Sequence, residues 1–140
     1  MVDLTTKLGA RTAERLKQEK IIWLTTVASS ATPQPNPVWF FWDGKSFIIY
    51  TQPTSHKVKN IDHNPKVSLN FKADSKIGDV VGDVVVLTGE ASLDKYPPSH
   101  DSRYLEKYRD EIPQIGLTPE SFAKSYSVQI RITPSKLRGT

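Results

Sequence analysis

The chain has 140 residues, a formal net charge of +4 and a hydrophobic fraction of 37%, which suits one soluble domain with a single core over residues 1–140. It contains no cysteine, so disulfides, thiolate metal sites and cysteine nucleophiles are excluded. The 19 basic residues are dispersed, which argues against a nucleic-acid partner. Because the sequence shows neither a signal peptide nor an apolar run of membrane-spanning length, we expect a cytoplasmic protein without a membrane partner.

The beginning of the chain predicts a helix followed by strands. Apolar residues recur at near-helical spacing between Leu4 and Leu16, which indicates an N-terminal amphipathic helix. The β-branched and aromatic run Ile21–Val27 predicts the first strand. Three alternating prolines then precede the aromatic run Val38–Trp42. Since proline cannot donate to a strand ladder, we expect this strand to start at a sheet edge or to pair only after Pro37.

A hairpin and a helix follow. The Asp-Gly pair at residues 43–44 is the strongest hairpin signal in the chain, and it leads into a predicted strand, Ser46–Thr51. Pro53 breaks that strand. A helix is predicted over Ser55–His63, with Thr54 or Ser55 as its N-cap.

The rest of the chain alternates strands with loops and helices. Gly89 inside a long strand indicates a bulge or a bend, and Pro134 is expected to end the last strand. The predicted elements are strand Lys66–Lys72, loop Ala73–Asp83, strand Val84–Leu93, helix Asp101–Asp110, helix Thr118–Tyr126 and strand Ser127–Thr133. Together these elements predict a mainly β fold with short helices: a six-stranded, mostly antiparallel split β-barrel with peripheral helices.

The sequence offers little chemistry of its own. His56, His63 and His100 are the only histidines, and none has the spacing of a metal-ligand motif. No nucleophile or acid–base pair stands out either. We therefore predict no catalytic residue and no metal site, and an enzyme of this kind would depend on a cofactor for its reaction.

The aromatic run suggests a wall for a flat ligand. On a strand, Trp39 and Phe41 face one way while Phe40 and Trp42 face the other. One pair fits a hydrophobic core, and the second pair needs a cover, which could be a partner subunit, a planar ligand or a helix. Core packing plus a dimer interface is the alternative to a ligand wall.

The start of the helix that follows is a candidate anion site. Free backbone N–H groups at a helix start and a nearby ammonium both suit a phosphate, and Lys57 and Asn60 lie one turn apart. The alternative is a capped surface helix with exposed lysines. The aromatic strand and the Asp-Gly hairpin before it favour the phosphate, because they place a flat-ligand wall close to the anion site.

In their order along the chain, these segments resemble a known family. The segments that carry the resemblance are Pro35–Gly44, Tyr50-Thr51, Lys57–Ile61 and Val128–Gly139. They are similar to the pyridoxamine 5′-phosphate oxidase-like flavin/deazaflavin split-barrel family, and above all to its small single-domain members, which are FMN-binding or coenzyme F420-dependent oxidoreductases. The resemblance extends over residues 4–139.

The resemblance implies a six-stranded split barrel that forms a homodimer with two cofactor sites at the subunit interface. Lys57 and Asn60, with Ser55 or Thr51 nearby, would hold the cofactor phosphate, and the segment from Val38 would run along the isoalloxazine ring. The cofactor-binding residues that it implies are Val38, Trp39, Phe40, Phe41, Tyr50, Thr51, Ser55, Lys57 and Asn60.

The expected function is that of an oxidoreductase in which FMN, or alternatively coenzyme F420, exchanges hydride with a small organic substrate. The lysine-rich, arginine-poor composition favours FMN. Many relatives have arginine in place of Lys59, and the basic phosphate motif and C-terminal substrate segment of true pyridoxamine phosphate oxidases are missing, so oxidation of vitamin B6 is not expected. A non-catalytic flavin or deazaflavin carrier and a small nucleic-acid-binding β-barrel are the alternatives.

Overall fold

The protein is described by a computed structural model that covers residues 2–73 and 84–139. The strands are β1 Ile22–Val27, β2 Pro33–Val38, β3 Phe41–Trp42, β4 Phe47–Thr51, β5 Lys66–Asn70, β6 Val85–Asp94 and β7 Val128–Gly139. The helices are α1 Lys7–Gln18, α2 His56–His63, α3 Ser102–Lys107, α4 Glu111–Gln114 and α5 Pro119–Ser125, with a short 3-10 helix at Pro98–His100. Apart from Ala73, the loop predicted over Ala73–Asp83 lies outside the described residues.

The strands form one antiparallel sheet in the order β2-β1-β5-β6-β7-β4-β3. Its two edge strands, β2 and β3, are separated in the chain only by Trp39 and Phe40. The sheet must therefore curl until its edges come close, which is the geometry of a split barrel. The mainly β class with peripheral helices is confirmed. Residues 2–73 and 84–139 contain seven strands in place of the predicted six and five α-helices in place of three or four.

The additional strand arises in the proline-rich and aromatic run. Pairing with β1 already begins at Pro33, which lies opposite Val27, and β2 is an edge strand, as expected for its prolines. Prolines 33, 35 and 37 are alternate residues, so their positions without an N–H face away from β1. After Val38 the chain leaves β1, and from Phe41 it pairs with β4, which divides the expected single strand into two.

Strand β7 is longer than predicted. It runs through Pro134 to Gly139, so the prediction that Pro134 ends it is wrong. The reason lies in the neighbouring strand, where the register shifts between Thr88 and Gly89. A Cβ atom on Gly89 would lie 2.3 Å from the carbonyl oxygen of Thr133. The irregularity predicted at Gly89, a bulge or a bend, is thus confirmed as a bulge, and it accommodates the proline inside the strand.

Two hydrophobic clusters hold the fold together. The first fills the barrel and includes Phe40, Phe47 and Leu69. The second lies between the outer face of β4 and the C-terminal helices, where Ile48 and Tyr50 meet a group of fully or almost fully buried side chains: Tyr104, Tyr108, Ile112 and Phe122. The helices therefore cover only the part of the outer sheet surface that lies around β4.

The C-terminal helices are shorter than expected at one place. The helix predicted over Asp101–Asp110 is confirmed as α3, which ends at Lys107, and α4 is an additional short helix that begins after the predicted range. The one predicted from Thr118 is confirmed as α5, where Thr118 and Ser121 form a reciprocal capping box. No helix within the described ranges has the length and apolar character needed to cross a membrane.

Candidate functional site

A cleft of about 310 Å3 opens between the sheet and the C-terminal helices. Its volume lies within the range of about 300–1,000 Å3 typical of small-molecule sites. The sheet and α2 contribute Pro37, Val38, Trp39, Tyr50, Thr51 and Lys57, and the C-terminal part contributes Tyr104, Ile115, Phe122 and Tyr126. The cleft thus brings together five of the nine residues implied for cofactor binding: Val38, Trp39, Tyr50, Thr51 and Lys57.

Lys57 supplies the only cation in the described lining of this cleft. It lies in the first turn of α2, and its side chain is partly buried. Burial lowers the pKa of its ammonium, because a charged group loses hydration there. Within the described ranges Lys57 has no hydrogen bond or ion pair, so a bound anion would compensate for the lost hydration.

The N-terminus of α2 is unusual in the use of its cap residue. Ser55 occupies the N-cap position, but its side chain does not bond the backbone of the first turn. Its hydroxyl instead lies 3.1 Å from the Thr51 hydroxyl, which donates to it. The cap side chain therefore satisfies none of the first-turn N–H groups. That of Val58 donates to the Ser55 carbonyl at 3.2 Å, and those before it are suited to an external acceptor.

Asn60 is occupied inside the fold. It is 7% exposed, and its Nδ2 donates to Thr26 Oγ1 at 2.9 Å and to Gln34 Oε1 at 2.8 Å. These bonds tie α2 to β1 and β2. Neither Asn60 nor Ser55 lines the cleft as the described residues form it, and Lys59 on the same helix is exposed.

The break between β2 and β3 is held by the end of α3 and the residue after it. The Phe40 N–H donates to the Tyr108 hydroxyl at 2.8 Å. The Phe40 carbonyl accepts from Lys107 Nζ at 2.7 Å and lies 2.9 Å from the Tyr108 hydroxyl. The same hydroxyl lies 2.7 Å from the Lys20 carbonyl. Backbone groups that the ladder cannot satisfy are thus bonded by two side chains.

The same tyrosine supports one wall of the cleft. The Trp39 ring stacks on Tyr108 with a centroid distance of 4.6 Å and an interplanar angle of 7°, and it lies 5.9 Å from the Phe122 ring. Phe40 and Trp42 pack into the barrel, while Trp39 and Phe41 pack against the helical cluster. The predicted alternation is confirmed, and helices provide the cover. Phe40 and Phe41 do not line the cleft within the described ranges.

Tyr50 forms another part of the wall. Its hydroxyl donates to Asp101 Oδ2 at 2.9 Å and accepts from Gln129 Nε2 at 3.1 Å. Burial raises the pKa of Tyr50, and it also raises that of Tyr104, which is fully buried. Both phenols therefore stay neutral near pH 7. They can shape and orient a ligand, but they are poor proton donors at that pH.

Sequence reasoning missed the helical wall of the cleft. Tyr104, Ile115, Phe122 and Tyr126 follow Lys57 by 47 to 69 positions in the printed sequence, and they reach the cleft only because the helices fold onto β4. The spacing of Phe122 and Tyr126, four residues apart, placed both on one helical face. In the structure the two rings stack with 4.7 Å between their centroids, as that spacing allows.

Comparisons with known proteins agree with this architecture. Solved structures with a similar fold include an F420 reductase (22% identity, covering 89% of this chain and 94% of that chain, TM-score 0.70). General Stress Protein 26 from Bacillus anthracis shares 21% identity over 94% of this chain and 92% of that chain, with a TM-score of 0.67. HutZ, the heme storage protein from Vibrio cholerae, shares 13% identity over 96% and 95% of the two chains, with a TM-score of 0.70.

At these identities the solved structures establish the fold alone. Among curated proteins, none matches the sequence. The family model described as pyridoxamine 5′-phosphate oxidase matches residues 8–140, which is nearly the whole chain. This protein therefore belongs to the pyridoxamine 5′-phosphate oxidase family.

Proposed function

We propose that this protein is a homodimeric flavin-dependent oxidoreductase that holds FMN in the cleft and exchanges hydride with a small organic substrate. Coenzyme F420 is the alternative cofactor. The observation that carries the proposal is Lys57, a partly buried ammonium without a partner in the described ranges, in a cleft whose other walls are largely aromatic. That combination suits a ligand with an anionic end and a flat apolar body.

The residues of the cleft fit such a cofactor. Lys57 and the first-turn N–H groups of α2 would hold the phosphate, and the neighbouring hydroxyls of Thr51 and Ser55 would add hydrogen bonds. Val38 and Trp39 would contact the ring system. When bound, the flavin supplies the hydride chemistry. The protein supplies binding, orientation and exclusion of water.

The remaining residues implied by the family resemblance have supporting roles in this proposal. Asn60 bonds Thr26 and Gln34 and so sets the position of α2, and with it that of Lys57. Phe40 and Phe41 flank the strand break that presents Trp39 to the cleft. These three residues would act through packing and hydrogen bonds rather than through contact with the cofactor.

A second copy of the chain fits the uncovered part of the sheet. Strands β2, β1, β5 and β6 lie next to one another and share a face of the sheet, and no helix of the second cluster covers this face. Where these strands pair, two charged residues, Lys66 and Glu90, lie opposite each other at one end of the face. Its other side chains are uncharged and at least partly exposed: Trp23, Thr25, Val27, Pro33, Pro35, Pro37, Ser68, Asn70, Val86 and Thr88. An antiparallel sheet that faces water normally carries polar and charged groups there, so this face supports a subunit interface.

Two features connect this face to the proposed site. A groove of about 920 Å3 crosses it and is lined in part by Thr25, Val27 and Thr88, which offers a partner surface a place to insert. Pro37 belongs both to the face and to the lining of the cleft. A partner seated on the face would therefore border the cleft and help to exclude water from it.

The test is a titration of the purified protein with FMN and with riboflavin, which lacks the phosphate. Lys57→Met should weaken FMN binding by about 10- to 150-fold, the equivalent of the 1.5–3 kcal/mol typical of a hydrogen bond to a charged group. It should leave riboflavin binding nearly unchanged. Lys59→Met removes the same charge from the exposed side of the same helix and is the matched control.

Three outcomes would overturn parts of this proposal. Equal FMN affinities for the Lys57→Met and wild-type proteins would reject the phosphate role of Lys57. A Soret band on titration with hemin, without any binding of FMN or coenzyme F420, would show that the ligand is heme and not a flavin. Tight flavin binding without turnover under any reductant and acceptor tested would support the carrier in place of the enzyme.

A further inference from the structure

A second cavity, of about 350 Å3, lies on the outer surface of β4 and β7 and plays no part in the function proposed above. The sheet contributes Ile48, Gln129 and Arg131 to its lining. The end of β6 and the segment that leads into α3 contribute the others: Asp94, Tyr96, His100, Asp101, Ser102 and Arg103. Six of its nine lining side chains are ionisable, so the cavity differs in character from the aromatic cleft.

Two arginines flank the floor of this cavity. Phe41, Ile48 and Arg131 lie side by side across three neighbouring strands. The Arg103 guanidinium sits over the Phe41 ring at 4.9 Å from its centroid. Arg103 and Arg131 therefore both border the cavity next to Ile48.

The arginines are held in place but keep free donors. Arg131 Nη1 bonds Asp43 Oδ2 at 3.1 Å and the Ser46 hydroxyl at 2.9 Å, which leaves its other nitrogens available. Arg103 has no ion pair within the described ranges. An aromatic ring fixes its position without consuming its N–H groups.

The carboxylates of the cavity are turned toward other partners. Asp101 is 7% exposed, and its two oxygens accept from the Tyr50 hydroxyl at 2.9 Å and from the Tyr104 N–H at 3.2 Å. Asp94 is exposed, and its Oδ1 accepts from the Lys95 N–H at 2.7 Å. The hydrogen-bonding capacity that remains in the cavity is therefore dominated by donors.

We propose that this cavity is a second binding site, for a small organic anion that bears a phosphate or carboxylate group held by Arg103 and Arg131. Arginine suits both groups because its planar fork can donate two parallel hydrogen bonds. The ligand would lie one side chain away from the cleft, since Tyr50 lines the cleft while its hydroxyl is bonded to Asp101 and Gln129 in the second cavity.

The test is a titration with inorganic phosphate and, separately, with malonate, followed by amide chemical shifts. It is made in the Lys57→Met background, which removes the cation of the cleft. We expect saturable binding of at least one of the two anions, with shifts centred on the second cavity. Arg103→Gln should weaken that binding by about tenfold or more, and Arg103→Lys should weaken it less. Arg109→Gln should have no effect, because Arg109 is exposed and pairs with Glu106.

The proposal fails if the Lys57→Met protein binds neither anion saturably. It also fails if Arg103→Gln and Arg109→Gln bind the anions equally well, since the affinity would then not depend on this cavity. Arg103 is an exposed residue, so its variants should remain folded, and an unchanged circular dichroism spectrum verifies this. Loss of flavin binding in the Lys57→Met background leaves this readout intact, which keeps the two proposals separately testable.

Discussion

The hydroxyl group of Tyr108 should contribute more to stability than any other single oxygen atom at the strand break. Tyr108→Phe keeps the ring, its stacking on Trp39 and its packing in the second cluster. It removes only the oxygen atom that lies within hydrogen-bond distance of the Phe40 N–H, the Phe40 carbonyl and the Lys20 carbonyl. The substitution therefore isolates the hydrogen bonds from the packing.

The expected loss follows from which groups are left without a partner. The Phe40 carbonyl keeps its bond to Lys107, but the Phe40 N–H loses its acceptor in a residue that is fully buried. An unsatisfied buried donor costs about 1–3 kcal/mol, and the Lys20 carbonyl loses a donor as well. We expect a loss of about 2–3 kcal/mol in the free energy of unfolding, or about 4–12 °C in Tm at the usual scaling.

Urea denaturation followed by circular dichroism measures this loss. Tyr96→Phe is the matched control, because its hydroxyl donates to the His100 carbonyl at 3.1 Å at an exposed position, and it should change the free energy by less than about 0.5 kcal/mol. A loss below about 0.5 kcal/mol for Tyr108→Phe would refute the idea that this hydroxyl satisfies the strand break.

Two further predictions concern pH and assembly. Burial, together with the nearby Lys20, lowers the pKa of Lys107 in the folded protein to about 8, from an ordinary 10.5. Between these pH values the unfolded chain binds more protons at this lysine, so the free energy of unfolding of the wild-type protein should rise with pH from about 8. Urea unfolding at pH 7 and pH 9.5 measures this rise, and Lys107→Met should lack its contribution. The same change in the free energy of unfolding for both proteins would contradict the prediction. Thr25→Arg places a charge on the uncovered sheet face and should convert the proposed dimer into monomers in sedimentation velocity, whereas a dimer that persists would place the interface elsewhere.

Local patterns predicted most of the strands because each one depends on its own side chains and turns. The two errors in the strands both arose where a distant residue decides the outcome. Strand pairing stops at Trp39 because Tyr108 can satisfy the Phe40 backbone, and the two residues are 68 positions apart. Pro134 continues a strand because Gly89, on another strand, leaves room for it. Proline and aromatic patterns alone carry no information about such partners.

The candidate site was predictable to the same extent. Lys57, Thr51 and Tyr50 follow one another closely in the chain, so their proximity to the aromatic strand could be inferred from the hairpin and the helix start. Phe122 and Tyr126 come from a separate helix, and only the packing of α5 on the second cluster brings them to the cleft. The internal bonds of Asn60 could not be foreseen either, since Thr26 and Gln34 lie on other elements.

The alternating prolines of β2 also limit how two copies of this chain can associate. Toward the open edge, residues 33, 35 and 37 present carbonyl oxygens but no N–H group. This edge consists only of acceptors, so two such edges placed side by side would repel rather than form a ladder. The protein therefore cannot extend its sheet from β2 into a second molecule by pairing the same strand, which protects it from edge-to-edge aggregation. A subunit contact in this region must be made through the face of the sheet.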